Sequence, residues 1–239
     1  MDITIDEIKR NKMENANRIL IVSPHPDDAE IIAGGYILKS LKRGANVKLI
    51  IVTDGSKGTK IKGLNMKETR KKEQMESAAI LGIKEIKLLD IEDTFVPHPR
   101  ELIEILMPEI REYSPDLLIT VDPFLKYEVH PDHINTGMGV LQCVLFYEFP
   151  NIGHGDVIGN VPDVALSPIN NPNVIIDITD VNDTKSESLK AHRSQALDIN
   201  LISNISEMYG KMIKSKWGEP FKYLYPWELH INIDLEKFF

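Results

Sequence analysis

The run Arg18-Ile19-Leu20-Ile21-Val22-Ser23 is continuously apolar from Ile19 to Val22 and ends abruptly at Pro24-His25-Pro26-Asp27-Asp28-Ala29-Glu30. A strand that is apolar on both faces belongs in a parallel sheet covered by helices above and below. This strand stops in one imidazole and two adjacent carboxylates, at the point where a helix begins. A second cluster, His130-Pro131-Asp132-His133, comes shortly after the apolar run Leu117-Leu118-Ile119-Thr120-Val121. In open α/β sheets the carboxyl ends of strands open onto the ligand crevice. Two such clusters at two strand ends can face each other across it.

The rest of the chain alternates in the same way. Strands are expected at 18–23, 47–53, 86–89, 117–121, 164–167 and 174–178. Helices are expected at 28–42, 66–81, 100–113, 131–146, 181–194 and 201–214, with Asn65 as a candidate cap and Gly82 as a stop. Pro108 should kink or split the third of these helices. Strands separated by helices of this length argue for α/β architecture. The expected fold is a Rossmann-like, mostly parallel sheet with helices on both faces, in a single domain with a C-terminal elaboration. Residues 1–17 form an arm, 18–147 the Rossmann-like core, and 148–239 further strands, helices and an aromatic tail. Helical spacing places Ile134, Met138, Leu141 and Leu145 on one packed face, and Leu201, Ile205, Met208, Tyr209 and Met212 on another, expected in the core.

Composition narrows the function classes. With a net charge of -8 over 239 residues, a general affinity for nucleic acid is not expected. The basic run 67–72 is interleaved with Glu68, as on a solvated helix face. A single cysteine, Cys143, rules out an internal disulfide and a cysteine-based zinc site within one chain; in its apolar stretch it reads as core packing. No membrane span is indicated, and the polar first eighteen residues lack the apolar region of a signal peptide, so a cytoplasmic location is expected.

The two clusters carry the chemistry. Zinc takes imidazole and carboxylate ligands, and catalytic sites supply three from protein while leaving room for water. Three ligands drawn from His25, Asp28, His130 and His133 would leave one imidazole and Asp27 for proton work. The plainer alternative is that Asp27, Asp28 and Asp132 only cap helices. Neither a Gly-x-Gly-x-x-Gly nor a P-loop pattern occurs, and there is no Gly-x-Ser-x-Gly elbow. His98 and His154, in loops with Pro and Gly, read as solvated.

These motifs resemble those of the PIG-L/LmbE-like zinc-dependent deacetylases of N-acetylglucosaminides. Pro24 to Glu30 is similar to the first family signature, and His130 to His133 to the second. Thr53-Asp54-Gly55 with Gly58 resembles the family's Thr-x-Gly-x-x-Gly loop, although Ser56 stands where many relatives have Glu. Arg70 to Glu73 with Ala78 to Gly82 resembles its Arg-x-x-Glu helix, and Lys190-Ala191-His192-Arg193-Ser194-Gln195 a further block. Within the family the likeness runs toward archaeal diacetylchitobiose deacetylases, through Glu92-Asp93-Thr94 and Asp122-Pro123-Phe124 among others, while the stretch from Tyr147 to Pro162 matches poorly.

The resemblance implies His25, Asp28 and His133 as ligands of one Zn2+ per chain, Asp27 as general base, and His130, as an imidazolium, stabilising the oxyanion. It implies Arg70, Asp93 and His230 as substrate-binding residues, with His230 reaching its own or a neighbouring subunit's site. Arg70 could equally be a surface partner of Glu73, and His230 a solvated edge residue. Trp217, Tyr223, Tyr225 and Trp227 could stack on sugars or fill an oligomer interface. The implied reaction is hydrolytic N-deacetylation of diacetylchitobiose or N-acetylglucosamine, with release of acetate, by a homo-oligomer built on trimers or hexamers. The alternative is a deacetylase or amidase of another N-acyl glucosaminide, such as a thiol-cofactor precursor. A two-metal phosphoesterase and a sugar-binding protein with a relict site are the readings from other classes.

Overall fold

The computed structural model describes residues 4–230. A helix α1 (Ile5–Glu14) precedes β1 (Arg18–Ser23), α2 (Asp28–Lys42), β2 (Asn46–Thr53), α3 (Lys67–Leu81), β3 (Glu85–Ile91), α4 (Pro99–Tyr113) and β4 (Leu117–Thr120). The chain continues through α5 (Pro131–Leu145), β5 (Asp163–Leu166), β6 (Val174–Asp177), α6 (Asn182–Lys190), α7 (Ile199–Met212) and β7 (Gly218–Leu224). Short 3-10 turns cover Arg193–Gln195 and Pro226–Leu229. The seven strands form one sheet in the order β3-β2-β1-β4-β5-β7-β6. Strands β1 to β5 pair in parallel, and β7 runs antiparallel between β5 and β6.

The apolar run of β1 lies at the centre, paired on one side with β2 and on the other with β4. Its residues alternate between two cores. Ile19 and Ile21 pack with α2, Leu81 of α3 and Phe221 of β7; Leu20 and Val22 pack with α4 and α5. The chain leaves β1 toward β2 and β3, then returns to β4 on the far side. The order therefore reverses between β1 and β4, and the crevice opens at their carboxyl ends.

Several elements differ from the sequence-based expectation. Helix α4 runs unbroken through Pro108, because its buried stripe of Leu102, Ile103, Leu106, Met107 and Ile110 anchors both halves. Asn65 does not cap α3 at its first position, which is Met66, but its Oδ1 accepts from Lys67 N–H at 2.9 Å. Helix α6 ends at Lys190, where the chain turns to bury His192. On α5, Thr136, Gly137, Gly139, Val140, Cys143 and Val144 are buried with Leu141, whereas Ile134, Met138 and Leu145 are only half-buried. A Cβ on Gly137 would lie 2.6 Å from the Val121 carbonyl oxygen, so glycine here permits the helix to rest on the strand end. The expected core face of α7 is overturned. Leu201, Ile205, Met208 and Met212 are exposed, and only Tyr209 is buried.

Strand β7 was not anticipated. Its alternation of buried Phe221 and Tyr223 with half-buried Pro220 and Lys222 is a period-two pattern with a proline inside it. Tyr223 is core and donates its hydroxyl to Asp163, which removes it from both surface roles considered for the aromatic group. Trp217 and Tyr225 pack partly buried against the same core.

Beneath β7 lies a buried ion pair. Lys185 Nζ is 2.7 Å from Glu219 Oε1 and also donates to the Ile31 carbonyl at 3.0 Å. Glu219 accepts from the main-chain N–H groups of Gly35 and Tyr36 at 2.6 and 2.7 Å. The pair thus inserts into the hydrogen-bond ladder of α2. No helix among the described residues is long and apolar enough to cross a membrane.

Candidate active site

The loop after β1 carries His25 and Asp27, α2 opens with Asp28, and the first turn of α5 brings His130 and His133 from the β4 side. Both His25 Nδ1 and His133 Nε2 approach Asp28 Oδ2, at 3.2 and 3.4 Å. Donor atoms of His25, Asp28 and His133 all lie within 4.8 Å of one another. The remaining nitrogen of each imidazole faces a carboxylate. His25 Nε2 is 3.1 Å from Asp132 and 3.3 Å from Asp93, and His133 Nδ1 is 3.1 Å from Glu128. Metal-ligating histidines characteristically direct their second nitrogen to a carboxylate, which fixes tautomer and ring orientation. This donor set therefore fits a divalent metal with open coordination positions.

A second trio, His25, His130 and Asp132, is equally close. Asp132, however, already accepts from Thr94 N–H at 2.7 Å and Val96 N–H at 3.1 Å, one on each oxygen, besides facing His25. Its lone pairs are committed to holding a loop and a ring, which makes it a support for His25 rather than a rival ligand.

The charges are tuned in opposite directions. Burial works against protonation of His25, but hydrogen bonds to Asp132, Asp28 and Asp93 push its pKa up to about 11. Burial likewise works against the charge of Asp28, yet hydrogen bonds from His133 and His25 hold it well below the usual carboxylate range. Asp27 is pushed up to about 7 by its burial and then by the neighbouring charge of Asp28, against the pull of Arg70. A carboxylate that titrates near neutrality is suited to taking and returning a proton. His130 is held below its ordinary value by burial and by the charges of His25 and His133. Its Nδ1 accepts from Asp132 N–H at 3.3 Å, so the neutral ring carries its proton on Nε2. This contact and the lowered value favour a neutral N–H donor over the imidazolium expected from sequence.

Arg70 is buried, with Nη2 3.1 Å from Asp27 Oδ1 and a hydrogen bond to the Pro26 carbonyl. A Cβ on Gly55 or Gly58 would come within 3 Å of its guanidinium, which explains both glycines of that loop. The surface partnership with Glu73 does not occur: Glu73 accepts instead from the N–H and hydroxyl of Ser194. His25, Asp27, Arg70, Asp93 and His130 line one cavity of about 290 Å³, together with Lys57, Gly58, Thr94 and Gln195.

His230 is not brought to this cavity. It follows the turn Pro226–Leu229, and Leu229 shares a separate pocket with Leu141, Gln142 and Leu145 in the later half of α5, away from His133 in its first turn. Trp217, Tyr223, Tyr225 and Trp227 do not line the site cavity either. His98 caps α4 and His154 faces Glu104; both are exposed. Sequence reasoning gave Asp132 no role beyond a helix cap, and none to Glu128, Gln74, Glu30 and His192. The available signals were the Glu closing the first motif, the Asp inside the second, and the histidine of the late block.

Residues 20–144 match the PIG-L family, described as GlcNAc-PI de-N-acetylase. The chain is 32% identical to a diacetylchitobiose deacetylase of Thermococcus kodakarensis, over 97% of this chain and 90% of the relative. It is 31% identical to a probable N-acetyl-alpha-D-glucosaminyl L-malate deacetylase of Bacillus cereus, over 88% and 98% of the two chains. The solved N,N′-diacetylchitobiose deacetylase of Pyrococcus horikoshii superposes with a TM-score of 0.90 at 33% identity, covering 95% of this chain and 91% of that one. By the family match and by this identity over nearly its whole length, the chain is a PIG-L family deacetylase.

Proposed function

We propose that this deacetylase hydrolyses the acetamide of a small N-acetylglucosamine-containing sugar, of the diacetylchitobiose or N-acetylglucosamine type, with one zinc ion held by His25, Asp28 and His133. The observation that carries this reading is the convergence of that trio beside a buried Asp27 whose pKa lies at about 7. Bound there, zinc would polarise the acetamide carbonyl and lower the pKa of water. Asp27 accepts the proton of the attacking water on its carboxylate and then delivers it to the departing amine. His130 donates its Nε2–H to the oxygen on which negative charge develops; a single donor of this kind is worth about 2.7–4 kcal/mol. Arg70 holds the Asp27 carboxylate in place, and together with Asp93 it offers polar contacts to the sugar hydroxyls.

For His230 the reading requires a second copy of the chain, in a trimer or hexamer, whose site it completes. Mixing Asp27→Asn chains with His230→Ala chains would then restore activity that neither has alone. The likeness to a malate-conjugate deacetylase supports a second substrate class, an N-acetylglucosaminide with an acidic aglycone.

The test is release of free amine and acetate from N,N′-diacetylchitobiose, N-acetylglucosamine and an N-acetylglucosaminyl malate by zinc-loaded protein, beside a chelator-treated control. Chelator-sensitive release from the first two supports the proposal, and release from the malate conjugate alone moves it to the second class. Release that survives complete removal of metal contradicts it.

A further inference from the structure

Asp27 sits at φ 110°, ψ −30°, a backbone conformation that a residue with a Cβ occupies only when its surroundings impose it. Two residues of α3 grip it, one turn apart on the same helix face. Arg70 engages the carboxylate at 3.1 Å. Gln74, fully buried, takes the main chain: its Oε1 accepts from Asp27 N–H at 3.1 Å.

Gln74 is itself held. Its Nε2 donates to Glu30 Oε1 at 2.7 Å, and Ser77 Oγ donates to the same oxygen at 2.7 Å. The other oxygen of Glu30 is left without a hydrogen bond and stands 3.6 Å from His192 Nε2, whose ring nitrogens also lack hydrogen-bond partners. Glu30 and His192 are both buried. This chain of groups ties three separate pieces of sequence, α2, α3 and the turn after α6, to one main-chain N–H. Neither Glu30 nor His192 lines the cavity, and the proposed reaction gives neither of them a step.

We infer that Gln74, backed by the buried Glu30–His192 pair, is a positioning residue for the general base: it holds Asp27 in the left-handed conformation that separates its carboxylate from that of the neighbouring ligand Asp28. The inference rests on the reading of Asp27 as base. The amide oxygen fixes the acceptor of the Asp27 N–H, while the amide nitrogen, locked on Glu30, prevents the side chain from flipping. Misplacing a reacting group by about 1 Å can cost on the order of 10²-fold in rate.

The experiment combines Gln74→Met, which keeps volume and removes both hydrogen bonds, with the exchange Gln74→Glu plus Glu30→Gln, which keeps the acceptor for Asp27 N–H and a donor–acceptor pair behind it. Amide hydrogen exchange gives a readout independent of activity. Gln74→Met should lose protection at the Asp27 amide while amides within α3 keep theirs, and Gln74→Glu plus Glu30→Gln should retain it. In kinetics, Gln74→Met should lower kcat by about 10²-fold with bound zinc unchanged and KM within roughly twofold. Combined with Asp27→Asn it should cause no further loss, since a positioning effect vanishes with the group positioned. Unchanged protection at Asp27, or the same fractional loss of kcat in both backgrounds, would overturn the inference. Full activity of Asp27→Asn alone would overturn the base assignment beneath it, an outcome the exchange measurement distinguishes.

Discussion

The molecule buries two groups of opposite charges, and they are built differently. In the Lys185–Glu219 pair, the ammonium reaches a carboxylate and a carbonyl, while the carboxylate caps two main-chain N–H groups of α2. Every contact is internal, and nothing about the pair opens to solvent. In the crevice, His25 and His133, from two chain segments, converge on one oxygen of Asp28, beside a strained Asp27 and a cavity. The first arrangement is closed and fastens α2 to β7 and α6. The second turns imidazole and carboxylate donors toward one another, with pKa values driven apart, as functional sites do. Burial of charge alone therefore does not mark function; imidazole and carboxylate donors gathered beside a cavity do.

Breaking the closed pair should give the largest effect on stability. Lys185→Met leaves Glu219 buried and uncompensated and should cost about 3–5 kcal/mol in urea unfolding, whereas Lys185→Met with Glu219→Leu should recover most of it. Neither variant should alter metal affinity in the crevice. If the single variant proves harmless, the pair is not the fastening described.

The open group should respond to metal instead. At a free zinc concentration of about 100 times Kd, stability should rise by about 2.7 kcal/mol, and Asp28→Asn should abolish the gain. Because the pKa of His25 lies at about 11 without metal, zinc binding at pH 8 must displace a proton from it. Calorimetry in buffers of different ionisation enthalpy should detect that proton. A buffer-independent enthalpy would contradict the assignment of His25.

A smaller, pH-carried effect belongs to His192. Burial opposes its charge, but the carboxylate of Glu30, 3.6 Å away, and the charge of Asp27 outweigh this and raise its pKa above the ordinary 6.5. A raised folded value means the contribution is complete below about pH 6.5 and fades as pH rises through the folded value. His192→Gln should therefore flatten the fall in stability above that pH. The smallest change is expected on the exposed face of α7, where Met208→Gln should alter the chain's stability by about 0.5 kcal/mol or less. A loss of several kcal/mol would mean that this face is covered.

Legibility in the sequence follows how local each signal is. The parallel core was readable because β1, β2 and β4 are continuous apolar runs and each is followed within the chain by its covering helix. The metal trio was readable because both halves lie in compact motifs. Strand β7 was not, since its partners β5 and β6 lie about fifty residues earlier and Pro220 interrupts the run. Helical period identified an apolar stripe on α7 but could not say that the sheet lies on its other side. The supports of the site were the hardest to see. Gln74 and His192 acquire meaning only when α3 and the turn after α6 are folded onto Glu30, contacts separated by 44 residues or more in sequence.

The central claim is that two adjacent aspartates at one strand end do different work, Asp28 holding metal and Asp27 moving protons. The most direct measurement is zinc content and acetate release for Asp27→Asn and Asp28→Asn, purified alike and assayed on the same N-acetylated sugar. The account predicts that Asp27→Asn keeps one zinc per chain and loses about 10²–10⁴-fold in kcat, as for removal of a general base. It predicts that Asp28→Asn loses zinc and activity together. An active Asp27→Asn protein, or an Asp28→Asn protein that still binds zinc as tightly as its parent, would contradict it.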